Sequence, residues 1–176
     1  GPGDDHMSGS AANEVFRGGP GRDILDGGAG FDGAEYSDKV VPVVVDLSAP
    51  GDIRVMVGGH EEDSLRNIES VIGGSGNDIL TGSASINVLA GGAGDDTLIA
   101  KGGMDILWGG EGTDTFVFGL VSDSPADLPA RIMDFSLSQG DRIDLSGIDA
   151  NANTDGFQAL AFSGENPGAH SAWYSK

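Results

Sequence analysis

The chain has 176 residues, 31 of them glycine, and its 9 Lys and Arg against 28 Asp and Glu give a formal net charge of −19. This charge argues against nucleic acid as a partner, because phosphate contacts need basic side chains. The lack of cysteine excludes disulfides, thiolate metal sites and a cysteine nucleophile. The sequence has no run of about 18 apolar residues, so no membrane span is predicted.

The N-terminal segment divides into two parts. We interpret residues 1–7 as the remnant of an expression tag and leave them out of the predicted fold. Residues 8–35 form a first repeat region, because three nonapeptides follow in succession from Gly9: GSAANEVFR, GGPGRDILD and GGAGFDGAE. Self-similarity at a fixed period is typical of repeat architectures, so we expect these units to stack.

Residues 36–63 interrupt the nine-residue period. Two runs of alternating apolar and polar residues flank Ala49, Pro50 and Gly51, which predicts an inserted β-hairpin or two added strands. We expect this insertion to separate the N-terminal repeats from their stacking partners. It contains His60 followed by Glu61, the beginning of a zinc-protease HExxH motif, but Ser64 stands where the second His is required. No catalytic residue is therefore assigned, and the chain is predicted not to be an enzyme.

A second array, residues 64–117, is the main repeat region. Five nonapeptides follow in one frame from Gly73 to Val117: GGSGNDILT, GSASINVLA, GGAGDDTLI, AKGGMDILW and GGEGTDTFV. The preceding nine residues, SLRNIESVI, keep that frame. Every unit of both arrays has an apolar residue at its eighth position and a side-chain oxygen at its sixth. Residues 118–176 are assigned to a C-terminal capping region.

The two recurring positions of the nine-residue period, six and eight, predict an all-β fold. Six glycine-rich residues make a tight turn, since glycine reaches positive φ without a steric penalty, and the next three make a short strand whose middle side chain points inward. One apolar residue in nine cannot build a core alone, but stacked units form a continuous apolar column. Two units per coil predict a right-handed parallel β-roll with an inserted β-hairpin and a C-terminal β cap.

Stacking places acidic side chains along both edges of the roll. Unit n lies on unit n+2, so residues 18 apart share an edge. One edge carries Asp78, Asp96 and Asp114, and the other carries Glu69, Asn87, Asp105 and Asp123. Ca²⁺ takes six to eight oxygen ligands and would relieve the repulsion between these carboxylates. An acidic surface with flexible glycine linkers does not explain an apolar residue at every ninth position.

These nonapeptides resemble the calcium-binding repeats of the RTX family. The segment DSLRNIESVIGGSGNDILTG resembles the entry into an RTX roll. The stretches DTFVFGLVSDSP and RIMDFSLSQGDRIDLSGID resemble the C-terminal domain of serralysin-type metalloproteases and related exported bacterial proteins. The resemblance implies a roll that caps a catalytic domain, type I secretion and a secreted, extracellular location. The family usually continues to a further tail, so we expect the cap to be truncated at residue 176.

The resemblance also implies the calcium ligands: carbonyls of positions two and four plus the Asp of one turn, and carbonyls of positions one and three plus the Asp of the turn above. Site I then comprises Gly74, Gly76, Asp78, Gly91, Ala93 and Asp96. Site II comprises Gly92, Gly94, Asp96, Gly109, Glu111 and Asp114. These are the two best-matched sites.

Further sites match the pattern less completely. A third site, called site III, would use Lys101, Gly103, Asp105 and Asp123. A pairing of Asn87 with Asp105 is left open, since Asn offers only a neutral oxygen. The N-terminal repeats offer Gly19, Gly21, Asp23, Gly27, Ala29 and Asp32. In the cap, Asp134, Asp141 and Asp144 lie where the family can bind calcium, or belong to an ordinary polar strand and turn.

The predicted function is that of a calcium-binding RTX module, which folds on Ca²⁺ after type I secretion and stabilises or caps an exported bacterial protein. Two alternatives are kept. One is a module that binds an extracellular polysaccharide, although Lys and Arg are few and dispersed here. The other is the non-catalytic fragment of a secreted metalloprotease, whose partner would be the remainder of the parent chain. A monomer is expected in either case.

Overall fold

The computed structural model describes residues 1–148, 158–161 and 171–174, and consists of short strands in two facing sheets joined by tight turns. The nine-stranded sheet contains, in spatial order, β1 (His6–Ser8), β3 (Ile24–Asp26), β7 (His60–Arg66), β6 (Ile53–Val57), β5 (Val43–Asp46), β9 (Ile79–Thr81), β11 (Thr97–Ile99), β13 (Thr115–Val117) and β15 (Arg142–Asp144). The six-stranded sheet contains β14 (Arg131–Ile132), β12 (Ile106–Glu111), β10 (Val88–Ala93), β8 (Ser70–Ile72), β4 (Gly33–Glu35) and β2 (Val15–Phe16). Separately, β16 (Gln158–Ala161) pairs antiparallel with β17 (Ser171–Tyr174).

Within the repeats, successive strands alternate between the two sheets, and the predicted parallel β-roll is confirmed. Leu98 lies opposite Leu80 on one side and Phe116 on the other, each 18 residues away, and Leu89 lies opposite Leu107 in the second sheet. All five side chains are fully buried. The eighth position of each unit therefore forms the apolar column that holds the two sheets together.

The exclusion of residues 1–7 from the fold is wrong. β1 pairs in parallel with β3, with Met7 opposite Leu25, and Met7 packs against the core. The N–H of Gly3 donates to the carbonyl of Pro20. The sequence explains this, because residues 1–8 read GPGDDHMS and carry the turn glycines, an Asp at position six and an apolar residue at position eight. They form most of one more repeat.

The insertion is larger than the expected hairpin. β5, β6 and β7 form an antiparallel meander, whose outer strands pair in parallel with β9 and β3. The proposed boundary after Asp63 also differs from the structure, since β7 runs through it and Leu65 lies opposite Leu25. In the six-stranded sheet, by contrast, Ala34 lies directly beside Val71. The insertion therefore lengthens one sheet and leaves the other continuous.

The described part of the cap continues both sheets. β14 pairs with β12 and β15 pairs with β13, and the ring of Phe135 lies 6.2 Å from that of Phe116. A short 3-10 helix, Val121–Asp123, lies between β13 and β14 along the chain. The remaining cap residues, 149–157, 162–170 and 175–176, lie outside the described residues. In the part that the structure describes, no helix has the length and hydropathy to cross a membrane.

Candidate metal centre

The sixth position of each turn supplies a ladder of buried carboxylates. The N–H of Asp78 donates to Oδ1 of Asp96 at 2.7 Å, and the N–H of Asp96 donates to Oδ1 of Asp114 at 3.0 Å. These Asp residues are at most 1% exposed. Position six lies where the turn enters the strand, so its carboxylate reaches the backbone of the coil below. Each coil is thereby tied to the next through one carboxylate oxygen.

The second carboxylate oxygen is left without a donor at several of these positions. Among the described residues, this holds for the buried Oδ2 atoms of Asp23, Asp32, Asp96, Asp105 and Asp114, and for Oδ1 of Asp123. A buried, unpaired carboxylate oxygen is costly. Desolvation raises the pKa of Asp96 and of Asp105 to about 7 and holds the pKa of Asp114 above its ordinary value. A cation would supply the missing partner.

Backbone carbonyls converge on the same spaces. A Cβ atom on Gly73 would collide with both Asp78 Oδ2 and the carbonyl of Gly91, so these two oxygens of site I face one another beside a residue without a side chain. A Cβ on Gly91 would likewise meet Asp96 Oδ2 and, at 2.7 Å, the Gly109 carbonyl of site II. The first glycine of these turns thus leaves open the space in which an ion would be bound.

The remaining carbonyls of sites I and II lie between stacked turns. In site I, the carbonyls of Gly74 and Gly76 point at the turn above, against Gly92 and Gly94. Ala93 contributes its N–H, which donates to the Gly74 carbonyl at 3.0 Å, and Asp78 Oδ2 accepts from Gly74 N.

In site II, the carbonyls of Gly92 and Gly94 point at Gly110 and Gly112 in the same way. The Glu111 carbonyl accepts from the N–H of Gly94 at 2.8 Å. The structure therefore brings the eleven predicted positions of these two sites, with Asp96 shared, together between three stacked turns, although their role as ligands stays a prediction.

Site III is brought together in part. Asp105 and Asp123 are both buried, and the negative charge of Asp123 contributes to the raised pKa of Asp105. Asp123 Oδ2 accepts from the N–H groups of Gly119 and Leu120, which leaves Oδ1 free. Lys101 and Gly103 adopt positive φ angles of 83° and 84° in the turn below. The pair of acid oxygens fits a cation, with the turn at residues 100–105 as its floor.

Asn87 has a different environment from the Asp residues of the ladder. Its Oδ1 accepts from Ser83 N at 2.6 Å, its Nδ2 donates to the carbonyl of Glu69, and its own N–H donates to Asp105 Oδ1. Both ends of the amide are thus satisfied by the protein. The pairing of Asn87 with Asp105, which the sequence left open, therefore does not require an ion to satisfy the Asn87 side chain.

The N-terminal repeats keep stacking partners, contrary to expectation. The N–H of Asp32 donates to Glu69 Oε2, and the N–H of Asp23 donates to Asp63 Oδ1. A Cβ on Gly27 would meet both Asp32 Oδ2 and the carbonyl of Asn67. The other predicted positions line these turns: Gly19 and Gly21 have positive φ, and Ala29 N donates to the carbonyl of Ser10. On the Asp23 edge the stacking is restored because β7 returns to β3, and on the Asp32 edge it is never interrupted because β4 pairs directly with β8.

The cap places two of its three predicted Asp residues against the turn of Asp114, on the edge of sites I and II. Asp141 Oδ1 accepts from the N–H of Asp114, and the two oxygens of Asp134 accept from Gly109 N and Gly110 N. The negative charges of both contribute to the raised pKa of Asp114. Asp144 lies apart on β15, where its Oδ1 accepts from Ser146 N, so it does not join the site.

Sequence reasoning missed a second, outer ladder at position five. Asp95 N donates to Asn77 Oδ1 at 3.1 Å, and Thr113 N donates to Asp95 Oδ1 at 2.8 Å. This ladder runs in the opposite direction, since here the lower side chain accepts from the upper backbone. The recurrence of Asn and Asp at position five was a readable signal. Asp63 was also missed, because the residues before it lack the glycine of position four.

The donor set fits calcium. Within the described ranges, no three or more His, Cys, Asp or Glu side chains converge in a cluster that could hold a metal. The arrangement instead combines one or two carboxylates with several backbone carbonyls, which is a hard-oxygen environment suited to Ca²⁺.

Comparisons with known proteins agree with this chemistry. Residues 60–175 match the family described as peptidase M10 serralysin C terminal, and residues 1–34 match the RTX calcium-binding nonapeptide repeat, in four copies. The second match begins at residue 1, in agreement with the position of β1. The chain is 53% identical over 131 residues to the metalloprotease AprA of Pseudomonas entomophila (strain L48). The matched region covers 73% of the chain and 27% of that relative.

Proposed function

Because the chain belongs to the family of serralysin C-terminal domains of the M10 peptidases, with RTX calcium-binding repeats, we propose that it is the calcium-dependent C-terminal roll of a secreted metalloprotease. The roll would stay unfolded at the low calcium level inside the producing cell and fold outside it. Type I secretion and the extracellular location are part of this proposal. They rest on the family and on the resemblance to AprA.

The observation that carries the proposal is the set of buried Asp oxygens without donors, of which those of Asp32 and Asp96 lie with a carbonyl beside a glycine whose Cβ would fill the space. In the absence of a cation, the folded chain holds these acids at a high cost. Extracellular calcium modules bind with Kd values of about 10⁻⁴ to 10⁻³ M. At about 1 mM Ca²⁺ and a Kd of about 10⁻⁴ M, each site adds about 1.4 kcal/mol, whereas about 10⁻⁷ M Ca²⁺ adds almost nothing.

Four such sites would supply about 6 kcal/mol, which is comparable to the stability of a whole domain. The number of ions belongs to the proposal: we place them in sites I and II, in site III, and in the layer where Asp141 lies above the unpaired Oδ2 of Asp114. Far-ultraviolet circular dichroism with Ca²⁺, with Mg²⁺ and with excess chelator tests the proposal. We expect a β spectrum with Ca²⁺ alone, and a native-like spectrum in chelator would contradict it.

We infer that the chain has no hydrolytic activity of its own. The segment that begins like a zinc motif lies on β7, where Ser64 pairs with Ile24 instead of presenting a second His. Catalysis by the parent protein would then depend on residues outside this chain. Elemental analysis after purification should find no stoichiometric zinc, and a peptidase assay with the purified chain should give no turnover.

A further inference from the structure

The insertion carries a lysine, in the segment before β5, into the layer between two stacked turns. Lys39 Nζ donates to the carbonyl of Gly19 at 3.1 Å and forms an ion pair with Glu62. The lysine side chain is 12% exposed and the Glu62 side chain is 21% exposed, so the pair is largely shielded from water. Among the side-chain hydrogen bonds of the described residues, this is the one in which a Lys or Arg donates to a backbone carbonyl.

The carbonyl that Lys39 contacts is the one that would bind an ion elsewhere. Gly19 is the second residue of the turn at residues 18–23, as Gly74 is in site I and Gly92 in site II. The carbonyls of Gly74 and Gly92 face the glycine of the turn above. Above Gly19 the corresponding residue is Gly59, and a Cβ built there would have nothing within 4 Å. The upper turn is thus drawn away, and the ammonium takes its place at the carbonyl.

Other donors from the protein satisfy the upper carboxylate of the same layer. Asp63 stands at position six above Asp23; its Oδ1 accepts from Asp23 N at 2.9 Å and its Oδ2 accepts from the Tyr36 hydroxyl at 3.1 Å. Burial and the neighbouring acids raise the pKa of Tyr36 well above its ordinary value, so the hydroxyl keeps its proton. Asp63 therefore has no orphaned oxygen, unlike Asp96 and Asp114. In this layer, Asp23 Oδ2 is the buried oxygen that remains without a donor.

We propose that the ammonium of Lys39 is the resident cation of the layer between the turn at residues 18–23 and β7, in the place that calcium takes in the other layers. The inference rests on the proposed function, since it concerns one layer of a roll whose other layers take calcium. Tyr36, Lys39, Glu62 and Asp63 all lie in the insertion. The insertion thus supplies the upper acids and the cation of the layer that it rebuilds, and we expect the ammonium to exclude calcium from it.

Removal of the ammonium should convert this layer into a calcium site. Without Lys39, the carbonyl of Gly19 and the carboxylates of Asp23 and Glu62 would lack a cation, and such oxygens are ligands that Ca²⁺ accepts. We expect Lys39→Met to bind about one more calcium ion per chain than the wild type at saturating Ca²⁺, and to fold only at a higher calcium concentration. Lys39→Gln can still donate to Gly19 without a charge, and it should gain the same ion.

Equilibrium dialysis with radioactive calcium measures the number of bound ions, and circular dichroism confirms folding of each variant. Arg17→Met is the matched control: it removes one positive charge close to the same loop, where Arg17 contacts Glu35 and Ser37 but no turn carbonyl. It should bind as many ions as the wild type.

Equal ion counts for the wild type and both Lys39 variants would overturn the inference. Failure of both Lys39 variants to fold in saturating Ca²⁺ would also overturn it, since calcium then cannot replace the ammonium. An extra ion in Arg17→Met would overturn it as well, by showing a general effect of charge. A wild-type chain that binds no calcium at all would instead contradict the proposed function, so the two failures can be told apart.

Discussion

The backbone N–H of Asp78 donates to Oδ1 of Asp96, 18 residues later in the chain, at 2.7 Å. The carboxylate thus ties its own coil to the coil below with one oxygen and leaves the other for an ion. Because Asp96 belongs to both site I and site II, its charge should serve two ions. We therefore expect the Asp residues at position six to combine a structural role with a metal-binding one.

Asp96→Asn is expected to weaken two sites together. The substitution keeps the shape and an oxygen but removes the charge. A tenfold loss of affinity at each site lowers the free energy of unfolding by about 2 kcal/mol at about 1 mM Ca²⁺. Asp78→Asn is the matched control and should cost about half as much, because Val43, not an acid, lies below Asp78, and Gly74 N already satisfies its Oδ2. Urea unfolding at fixed calcium measures both, and equal losses would show that the stacked turns do not share ions.

Gly91→Ala is expected to close site II. The added Cβ would overlap Asp96 Oδ2 and lie 2.7 Å from the carbonyl of Gly109. We expect the calcium midpoint of folding to rise about tenfold or more, in line with the loss of one site. Gly102→Ala provides the comparison, since its Cβ would meet nothing closer than Ala84 Cα at 3.5 Å. Calcium titrations that give similar midpoints for the two variants would refute the steric argument.

Calcium-dependent folding should depend on pH below neutrality. Burial, together with the charges of Asp78, Asp114 and Asp95, raises the pKa of Asp96 to about 7 in the calcium-free fold, and burial raises that of Asp105 likewise. For an acid with a raised pKa, the metal-free fold is favoured at low pH, and this advantage is lost as the pH rises from about 4 to about 7. Calcium must displace the proton, so its apparent affinity increases over the same range.

The expected result is a calcium midpoint that falls about tenfold or more between about pH 5.5 and pH 7.5 and is constant above that. Titrations followed by circular dichroism at several pH values measure it. A midpoint independent of pH would mean that these two carboxylates are already ionised in the metal-free chain.

Asn87→Asp is expected to make its edge more dependent on calcium. The substitution replaces the amide that donates to the Glu69 carbonyl by an oxygen that repels it. Without an ion the layer should lose about 1–3 kcal/mol, because a buried acceptor then lacks its donor. In saturating Ca²⁺ we expect most of this loss to be recovered. Thermal melts of the variant and the wild type at low and high calcium test this, and a calcium-independent loss would contradict it.

The sequence was sufficient to predict the regular part of the roll. Leu80, Leu98 and Phe116 occupy one sheet in the predicted register, because a nine-residue period leaves little freedom in how units stack. Met7 was missed although its repeat is well formed, since an unusual first segment was given a non-structural origin. Its partial burial against the core shows that the repeat pattern of residues 1–8 is the better guide to their structure.

Other features could not be read from the period. β7, the last strand of the antiparallel meander, pairs in parallel with β3. Such pairing depends on contacts between residues far apart in sequence. Lys39 reaches Gly19 for the same reason. Asp134 and Asp141 have irregular spacing, so their position above Asp114 becomes visible only when the cap folds onto the last turn. Local repeats are thus predictable, whereas their interruptions are defined by tertiary structure.

The unequal strand numbers of the two sheets affect how the roll can respond as a whole. Ala34 touches Val71 in one sheet, while three strands separate Leu25 from Leu80 in the other, where a continuous roll would have one. Two surplus strands at about 4.8 Å each offset the sheets by about 10 Å at this seam. A linear array communicates only through nearest neighbours. The interface between neighbouring coils is therefore weakest at this seam. Unfolding caused by loss of calcium on its C-terminal side should not spread fully to the coils before it.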